Sequence, residues 1–150
     1  MSIDKEINQR HFLNEYQKSG INLIYTYNWM TERMKAIFEK YDITSQQFNI
    51  LRILRGAGEP LSTLQIRQRM LDKMSDTSRI VDRMVKKGLT KKGVCKTDKR
   101  LVDVTISDKG IALLEKMDEC QDEMDAILKN LSEDEAKMLN VLLDKIRNSE

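Results

Sequence analysis

One short stretch of the sequence has the alternation of a β-strand, whereas long stretches on both sides of it have the spacing of helices. Residues 102–106 (VDVTI) alternate apolar and polar side chains, which is typical of a half-buried strand. Residues 89–96 can pair with this strand across a turn at residues 97–99. Helix breakers are scarce, and Pro60 is the single proline. We therefore expect a mostly α (α+β) fold with one two-stranded hairpin.

Capping signals predict where several helices begin. In a capping box, a Ser or Thr side chain accepts a bond from the backbone N–H three residues later, and a Glu or Gln at that position returns a bond. The sequence has three such pairs: Thr44 with Gln47, Ser62 with Gln65, and Ser132 with Glu135. A further helix is predicted to start at Ser75 and Asp76 and to end at Gly88. The tight turn at residues 72–74 joins two short helices, which predicts a helix-turn-helix.

Long amphipathic helices are predicted towards both ends of the chain. Apolar residues recur with helical spacing over residues 21–41, and again from Ser107, a predicted N-cap, through Leu131. The helix from Ser107 and the helix after Ser132 together offer more apolar surface than one small protomer can cover. We expect residues 1–20 and 107–150 to join two copies of the chain in a homodimer.

The positive charge lies in the middle of the chain. Residues 62–100 hold 12 Lys and Arg against 4 Asp and Glu, whereas residues 107–150 hold 6 against 12. The formal net charge of the whole chain is only +2, so the excess is local. A local basic segment attracts polyanions, and this one coincides with the predicted helix-turn-helix and hairpin. The pattern favours a DNA-binding protein.

The helix after Ser75 is the candidate for entering a DNA groove. Arg79, Arg83 and Lys86 follow one another at spacings of four and three residues, which places them on one helix face. Short polar side chains at the start of such a helix suit base edges and phosphates. The candidate DNA-binding residues here are Ser75, Asp76, Thr77, Ser78, Arg79, Arg83 and Lys86. The alternative is an ordinary solvated face, as most runs of Lys and Arg are.

The predicted hairpin carries a second group of candidates at its tip. Lys96, Lys99 and Arg100 concentrate positive charge there, and the negative potential of a minor groove attracts such cations. Asp98 is the exception in charge. We expect Asp98 to pair with Arg100 and to orient its guanidinium group, and the alternative is a solvent-exposed turn residue.

Residues 79–89, followed by Asp98, Lys99 and Arg100 and then by Val104 and Thr105, resemble the recognition helix and D-x-R wing of the multiple-antibiotic-resistance repressor (MarR) family. The resemblance covers nearly the whole chain. It implies a single domain over residues 1–150, with a winged helix-turn-helix lobe at residues 44–106.

The same resemblance implies a function. A MarR-like protein is expected to be a homodimer whose terminal helices pair, with each protomer contacting one half of a pseudo-palindromic operator in double-stranded DNA. The chain would then be a transcriptional regulator, in the form of a ligand-responsive repressor. The alternative is a winged-helix scaffold that uses its basic face to bind an acidic protein.

Many MarR-like proteins bind phenolic or other small ligands between their dimerisation and DNA-binding parts. Tyr25, Trp29 and Phe48 are the candidates for lining such a pocket in this chain. The alternative is that these aromatic side chains serve core and interface packing, since the chain has few of them.

The two cysteines, Cys95 and Cys120, are far apart and form no metal-binding spacing. Both are expected to be free thiols with passive roles, and Cys95 in the wing is the better redox candidate of the two. His11 is the only histidine, which excludes a metal site built on several histidines.

The sequence contains no recognisable nucleophile–base pair, metal cluster or phosphate-binding glycine loop, so we expect neither enzymatic activity nor a cofactor. It also has no apolar run of membrane-spanning length and no signal peptide. We expect a cytoplasmic protein that does not contact membranes.

Overall fold

A computed structural model of the protein describes residues 1–148. Ser149 and Glu150, the last residues of the expected dimerisation segment, lie outside that range. The helices are α1 (Ile3–Glu6), α2 (Glu15–Glu39), α3 (Ser45–Ala57), α4 (Thr63–Arg69), α5 (Thr77–Lys86), α6 (Asp108–Asp118), α7 (Gln121–Ala126) and α8 (Glu133–Arg147). The strands are β1 (Leu61–Ser62), β2 (Thr90–Val94) and β3 (Val102–Ile106). The predicted mostly α fold with a winged helix-turn-helix is confirmed.

The helix starts follow the predicted capping signals. Each of the predicted capping boxes forms both of its hydrogen bonds, at the starts of α3, α4 and α8. Ser107 caps α6 by accepting a bond from the Gly110 N–H at 3.0 Å. Gly88, the predicted end of the recognition helix, adopts φ of 74°, a left-handed conformation that glycine accepts without steric cost.

The first long helix begins earlier than its apolar pattern indicated. It was expected at residues 21–41, but α2 starts at Glu15 because the Asn14 side chain accepts a hydrogen bond from the Gln17 N–H at 2.9 Å. The Leu13 N–H in turn donates to the Gln17 side chain at 2.8 Å. Local capping thus extends the helix beyond the segment that is patterned for burial.

The wing is part of a three-stranded sheet, so the prediction of two strands was incomplete. The strand order is β1-β3-β2, with antiparallel pairing throughout. In β1, Leu61 pairs with Val104, and both side chains are buried. A strand of two residues is too short to show an alternating pattern in the sequence. It forms because its residues pair with β3.

The hydrophobic core lies within the winged helix-turn-helix. The α3 helix runs through its middle, with Ile50 and Leu51 fully buried. Other fully buried side chains come from β1, α4 and its C-cap, α5, β3 and α6: Leu61, Ile66, Met70, Val81, Met84, Val104 and Leu114. The recognition helix therefore has a rigid apolar support beneath it.

The single long helix expected from Ser107 through Leu131 is interrupted, and that prediction was wrong. The break separates α6 from α7 at Glu119 and Cys120. At that point the Tyr41 hydroxyl lies 2.8 Å from Cys120 Sγ, and Lys40 Nζ donates to Glu123 at 2.9 Å. Tertiary contacts with the end of α2 fix this turn, although the apolar spacing continues through it. None of the helices within residues 1–148 combines the length and the apolar character needed to cross a bilayer.

Candidate nucleic-acid interface

The turn before the recognition helix is held by side chains from two elements. The Leu71 N–H donates to the Asn49 side chain on α3 at 3.0 Å. The Asp72 carboxylate accepts from the Met74 N–H at 3.0 Å, and the Ser75 hydroxyl donates to the Asp72 carbonyl at 2.8 Å. Ser75, a predicted site residue, is half-buried, and its hydroxyl is already used in a hydrogen bond within the turn. These bonds fix the position from which α5 starts.

Asp76 caps the recognition helix and contacts its first cation. Its carboxylate accepts from the Arg79 N–H at 3.2 Å and lies 3.3 Å from Arg79 Nε. The Arg79 side chain remains 80% exposed. Asp76 therefore satisfies an otherwise unpaired helix-end N–H and orients Arg79, instead of presenting a free negative charge.

The α5 helix has one apolar face and one charged face. Val81 and Met84 are fully buried against α3 and α4. Ser78, Arg83 and Lys86 are exposed on the other side. Within residues 1–148, neither Arg83 nor Lys86 forms a salt bridge. The guanidinium group of Arg83 and the ammonium group of Lys86 therefore remain available to an anion.

One predicted recognition-helix residue does not lie on the outer face. Thr77 is only 4% exposed and belongs to the buried side of α5, so its expected contact with DNA through the side chain is corrected. The reason is helical geometry, since Thr77 lies four residues before Val81 and shares its inward direction. Its hydroxyl meets no hydrogen-bond partner among the residues that the structure describes.

An ion pair joins the recognition helix to the wing. Lys92 Nζ on β2 donates to the carboxylate of Asp82 on α5. Lys92 was not among the sequence candidates. The sequence places two lysines side by side at residues 91 and 92, both within the basic segment. Only the structure shows that Lys92 is the one whose side chain reaches α5.

The tip of the wing is a closed turn. The Cys95 N–H donates to the Leu101 carbonyl at 3.1 Å, and the Leu101 N–H donates to the Asp98 carbonyl at 3.0 Å. Lys96 and Lys99 are exposed at this tip. The predicted wing candidates are thus brought together at one end of the hairpin.

Asp98 and Arg100 form the expected pair. The Asp98 carboxylate accepts from Arg100 Nε at 3.1 Å, from Arg100 Nη2 at 3.2 Å and from the Arg100 backbone N–H at 3.0 Å. These hydrogen bonds from Arg100 hold the pKa of Asp98 below its ordinary value. The Arg100 side chain is 90% exposed, so the guanidinium group is oriented but still open to an anion.

Further cations extend the basic surface beyond the predicted residues. Arg67 and Arg69 lie in the last turn of α4, and both are exposed, as is Lys91 on β2. The sequence count over residues 62–100 included these side chains, but the candidate residues belong only to the predicted recognition helix and the hairpin tip. A charge count over the exposed face of the helix before the turn would have found Arg67 and Arg69.

The expected aromatic pocket does not form as one site. Tyr25 and Trp29 line a cleft of about 300 Å³ with Ile3, Glu6 and Asn22. Tyr25 donates to the Glu6 carboxylate at 3.1 Å, and this bond raises the pKa of Tyr25. The Arg33 guanidinium group lies 3.7 Å from the centre of the Trp29 ring, a cation–π contact.

Phe48 lies elsewhere, and its assignment to that pocket is corrected. Its ring packs against Phe38, with 5.0 Å between ring centroids, at the edge of the hydrophobic core. Phe48 is close to the beginning of α3, whereas Tyr25 and Trp29 lie in the middle of α2. The alternative of core packing is thus the one that the structure supports for Phe48.

Neither cysteine lies in a metal site. Cys95 and Cys120 are free thiols, and no cluster of three or more His, Cys, Asp or Glu side chains within residues 1–148 could hold a metal ion. Cys95 Sγ lies 3.2 Å from the Thr97 hydroxyl in the wing turn.

Comparison with known proteins gives several matches. The profile of the MarR family matches residues 41–101. The chain is 31% identical over 117 residues to the HTH-type transcriptional regulator PecS of Dickeya dadantii, covering 75% of this chain and 70% of PecS. It is 31% identical over 127 residues to the multiple antibiotic resistance protein MarR of Salmonella typhimurium, covering 83% of this chain and 88% of that relative.

The fold also matches a solved DNA complex. A crystal structure of a mutant MarR from E. coli with operator DNA aligns with a TM-score of 0.79 at 25% identity. The alignment covers 91% of this chain and 99% of that one. The similarity therefore includes both the winged helix-turn-helix and the flanking helices.

Proposed function

The chain belongs to the MarR family, and we propose that it is a sequence-specific, DNA-binding transcriptional regulator. It binds a pseudo-palindromic operator as a homodimer, each protomer contacting one half-site. Its activity is binding rather than catalysis. It works in the cytoplasm, where its DNA target lies.

The observation that carries this proposal is the outer face of α5. Arg79, Arg83 and Lys86 are exposed there, while Val81 and Met84 fix the opposite face in the core. A helix held in this way presents its charges in a defined geometry, which is what contact with base edges requires. The relative solved with operator DNA has the same fold around this helix.

Dimerisation is supported by apolar side chains that one protomer leaves uncovered. On α8, Met138, Val141 and Ile146 are each about 60% exposed. On α2 and just before it, Leu13, Tyr16 and Ile24 are exposed as well. Exposed apolar surface of this extent is usual for an interface, and a two-fold dimer pairs the same surface on both copies.

We further propose that the protein represses transcription and that a small aromatic or phenolic molecule controls it. Support for the effector comes from the Tyr25 and Trp29 cleft, which offers two aromatic faces, the Tyr25 hydroxyl and the Glu6 carboxylate. An aromatic ring with one hydroxyl group fits that combination of apolar walls and convergent polar groups.

The DNA-binding proposal is tested by selection of bound fragments from a genomic pool, followed by gel shift of the selected duplex in competing salt. We expect one inverted-repeat sequence to be enriched and its affinity to fall steeply as salt rises, because each neutralised phosphate releases counterions. Arg83→Glu should abolish binding, and Lys35→Glu, a charge reversal outside both the basic segment and the expected dimerisation segments, should not.

Two results would contradict the proposal. Binding without any sequence preference would point to the acidic-protein scaffold instead. Equal loss in both charge-reversal variants would show that net charge, rather than the α5 face, determines affinity.

The effector proposal has a direct optical test because Trp29 is the only tryptophan. Titration with phenol or benzoate should change Trp29 fluorescence and release the selected duplex. Tyr25→Phe should weaken the fluorescence response, whereas Phe48→Leu should leave it unchanged. A response that is insensitive to Tyr25→Phe would place the ligand elsewhere.

A further inference from the structure

Two large apolar side chains project from the turn that precedes the recognition helix. Met74 is 92% exposed and Leu71 is 87% exposed. Surface turns usually contain Gly, Asn, Asp, Ser or Pro, whose backbone preferences or short polar side chains suit them. An exposed methionine on a tight turn therefore calls for a function outside the folded protomer.

Hydrogen bonds to the backbone of the turn hold Met74 in its exposed position. The Met74 N–H is held by the Asp72 carboxylate, and Ser75 is held by the Asp72 carbonyl. On the α4 side, Asn49 fixes the Leu71 N–H. With the chain pinned before and after it, the Met74 side chain points outward from a fixed position.

Exposed cations and acids both flank Met74. The two acids, Asp72 and Asp76, accept hydrogen bonds from the backbone N–H groups of Met74 and Arg79. Lys73 precedes Met74, Arg69 ends α4, and Arg79 is exposed in the first turn of α5. DNA supplies both phosphates for these cations and apolar methyl groups at base edges. The combination of exposed cations and an apolar side chain therefore favours DNA as the partner of Met74.

We propose that Met74 contacts the C5-methyl group of a thymine in the major groove and so contributes to operator specificity. Met74 lies two residues before the N-cap Asp76, and a helix-turn-helix places the start of its second helix at the base edges. Thymine is the only standard base with a methyl group in that groove. This inference rests on the proposed function.

The test is a scan in which each thymine of the selected operator is replaced singly by uracil, which lacks only that methyl group. At one position in each half-site, uracil should weaken binding of the unmodified protein about three- to fivefold, the effect of one methyl group left unburied. Met74→Ala should bind the thymine operator correspondingly less well and show no preference for thymine at that position. Met74→Leu should retain the preference.

Leu71→Ala is the matched control, because Leu71 is similarly exposed but lies three residues farther along the chain from the start of α5. It should keep the thymine preference. The inference is overturned if the preference persists in Met74→Ala, if Leu71→Ala removes it instead, or if no thymine is sensitive. Failure of the unmodified protein to bind any duplex selectively would instead overturn the proposed function, so the two failures are distinguishable.

Discussion

The carboxylate of Asp98 binds the guanidinium group and the backbone N–H of Arg100 together, through three hydrogen bonds of 3.0 to 3.2 Å. Arg100 is therefore oriented at the wing tip while its charge stays open to solvent. We therefore expect this acidic residue of the basic wing to affect DNA binding only indirectly, by positioning Arg100.

We expect Arg100→Ala to weaken operator binding about 10- to 100-fold, the range for loss of one specific arginine contact. Asp98→Ala should have part of that effect. Because Asp98 acts through Arg100, the double variant should lose less than the sum of the two single losses. A double-mutant cycle on one duplex at fixed ionic strength measures this, and strict additivity would contradict the positioning role.

The same pair predicts a simple pH dependence. Its hydrogen bonds lower the pKa of Asp98 below 3.8, so the pair is present above that pH and is lost only as the pH falls through the lowered pKa. The coupling energy in the cycle should therefore be constant between pH 6 and 8, within about 0.3 kcal/mol, the usual error of such additivity tests. Coupling that changes within this window would require another titrating group.

Gly110 tests the packing beneath the wing. A Cβ at this position would lie 2.4 Å from the Leu89 carbonyl oxygen and 2.8 Å from Ile106 Cγ1. Helix propensity favours alanine by about 1 kcal/mol, but relief of this overlap requires backbone movement, which costs about 1 to 3 kcal/mol or more. We expect Gly110→Ala to lower the free energy of unfolding.

Gly56→Ala is the control for Gly110→Ala, since nothing lies within 4 Å of a Cβ at Gly56 and this position lies outside the expected dimerisation segments. It should stabilise α3 by about 0.5 to 1 kcal/mol. Urea denaturation of both variants gives the comparison. A stabilised Gly110→Ala variant would show that the contact between α6 and the Leu89 backbone is less close than described.

The dimer surface can be tested by introducing charge on α8. Val141→Asp should shift the protein towards monomer, because Val141 is 60% exposed in one protomer and an interface would bury it. Leu64→Asp on α4 is the control, with 62% exposure outside the terminal helices. Light scattering at micromolar concentration should return a dimer for the control, and equal dissociation of both variants would exclude α8 as the interface.

The cysteines should be dispensable for DNA binding. Serine can keep the contact between position 120 and the Tyr41 hydroxyl, and it can keep the contact of the Cys95 thiol with the Thr97 hydroxyl in the wing turn. Cys95→Ser and Cys120→Ser should bind the operator with affinities within about threefold of the parent, as expected for mild substitutions. Release of DNA by peroxide from the parent but not from Cys95→Ser would show that the passive assignment is wrong.

Local signals predicted the fold well wherever one residue decides the structure. The capping boxes and Gly88 set helix ends through their own backbone geometry, so their positions were predictable from sequence alone. The break at Cys120 was not, because it depends on Tyr41 and Lys40, which are about eighty residues away in sequence. Apolar spacing carries no information about such distant contacts.

The candidate site shows the same division. The Asp98–Arg100 pair involves neighbours in one turn, and its prediction is confirmed. Thr77 and Phe48 were selected for their chemistry, but packing against the core determines where their side chains point. Their DNA and ligand assignments failed because residue type does not specify orientation, whereas the roles of the exposed candidates remain predictions.

The shared hydrophobic core holds the recognition helix and the hairpin in a fixed relative position, and the ion pair between Asp82 and Lys92 links them at the surface. A helix-turn-helix dimer fits its operator only when the two recognition helices are about one helical turn of DNA apart, roughly 34 Å. A change in the angle between the protomers would therefore release DNA by altering the distance between the two recognition helices. The DNA-contacting surface of each protomer would stay unchanged.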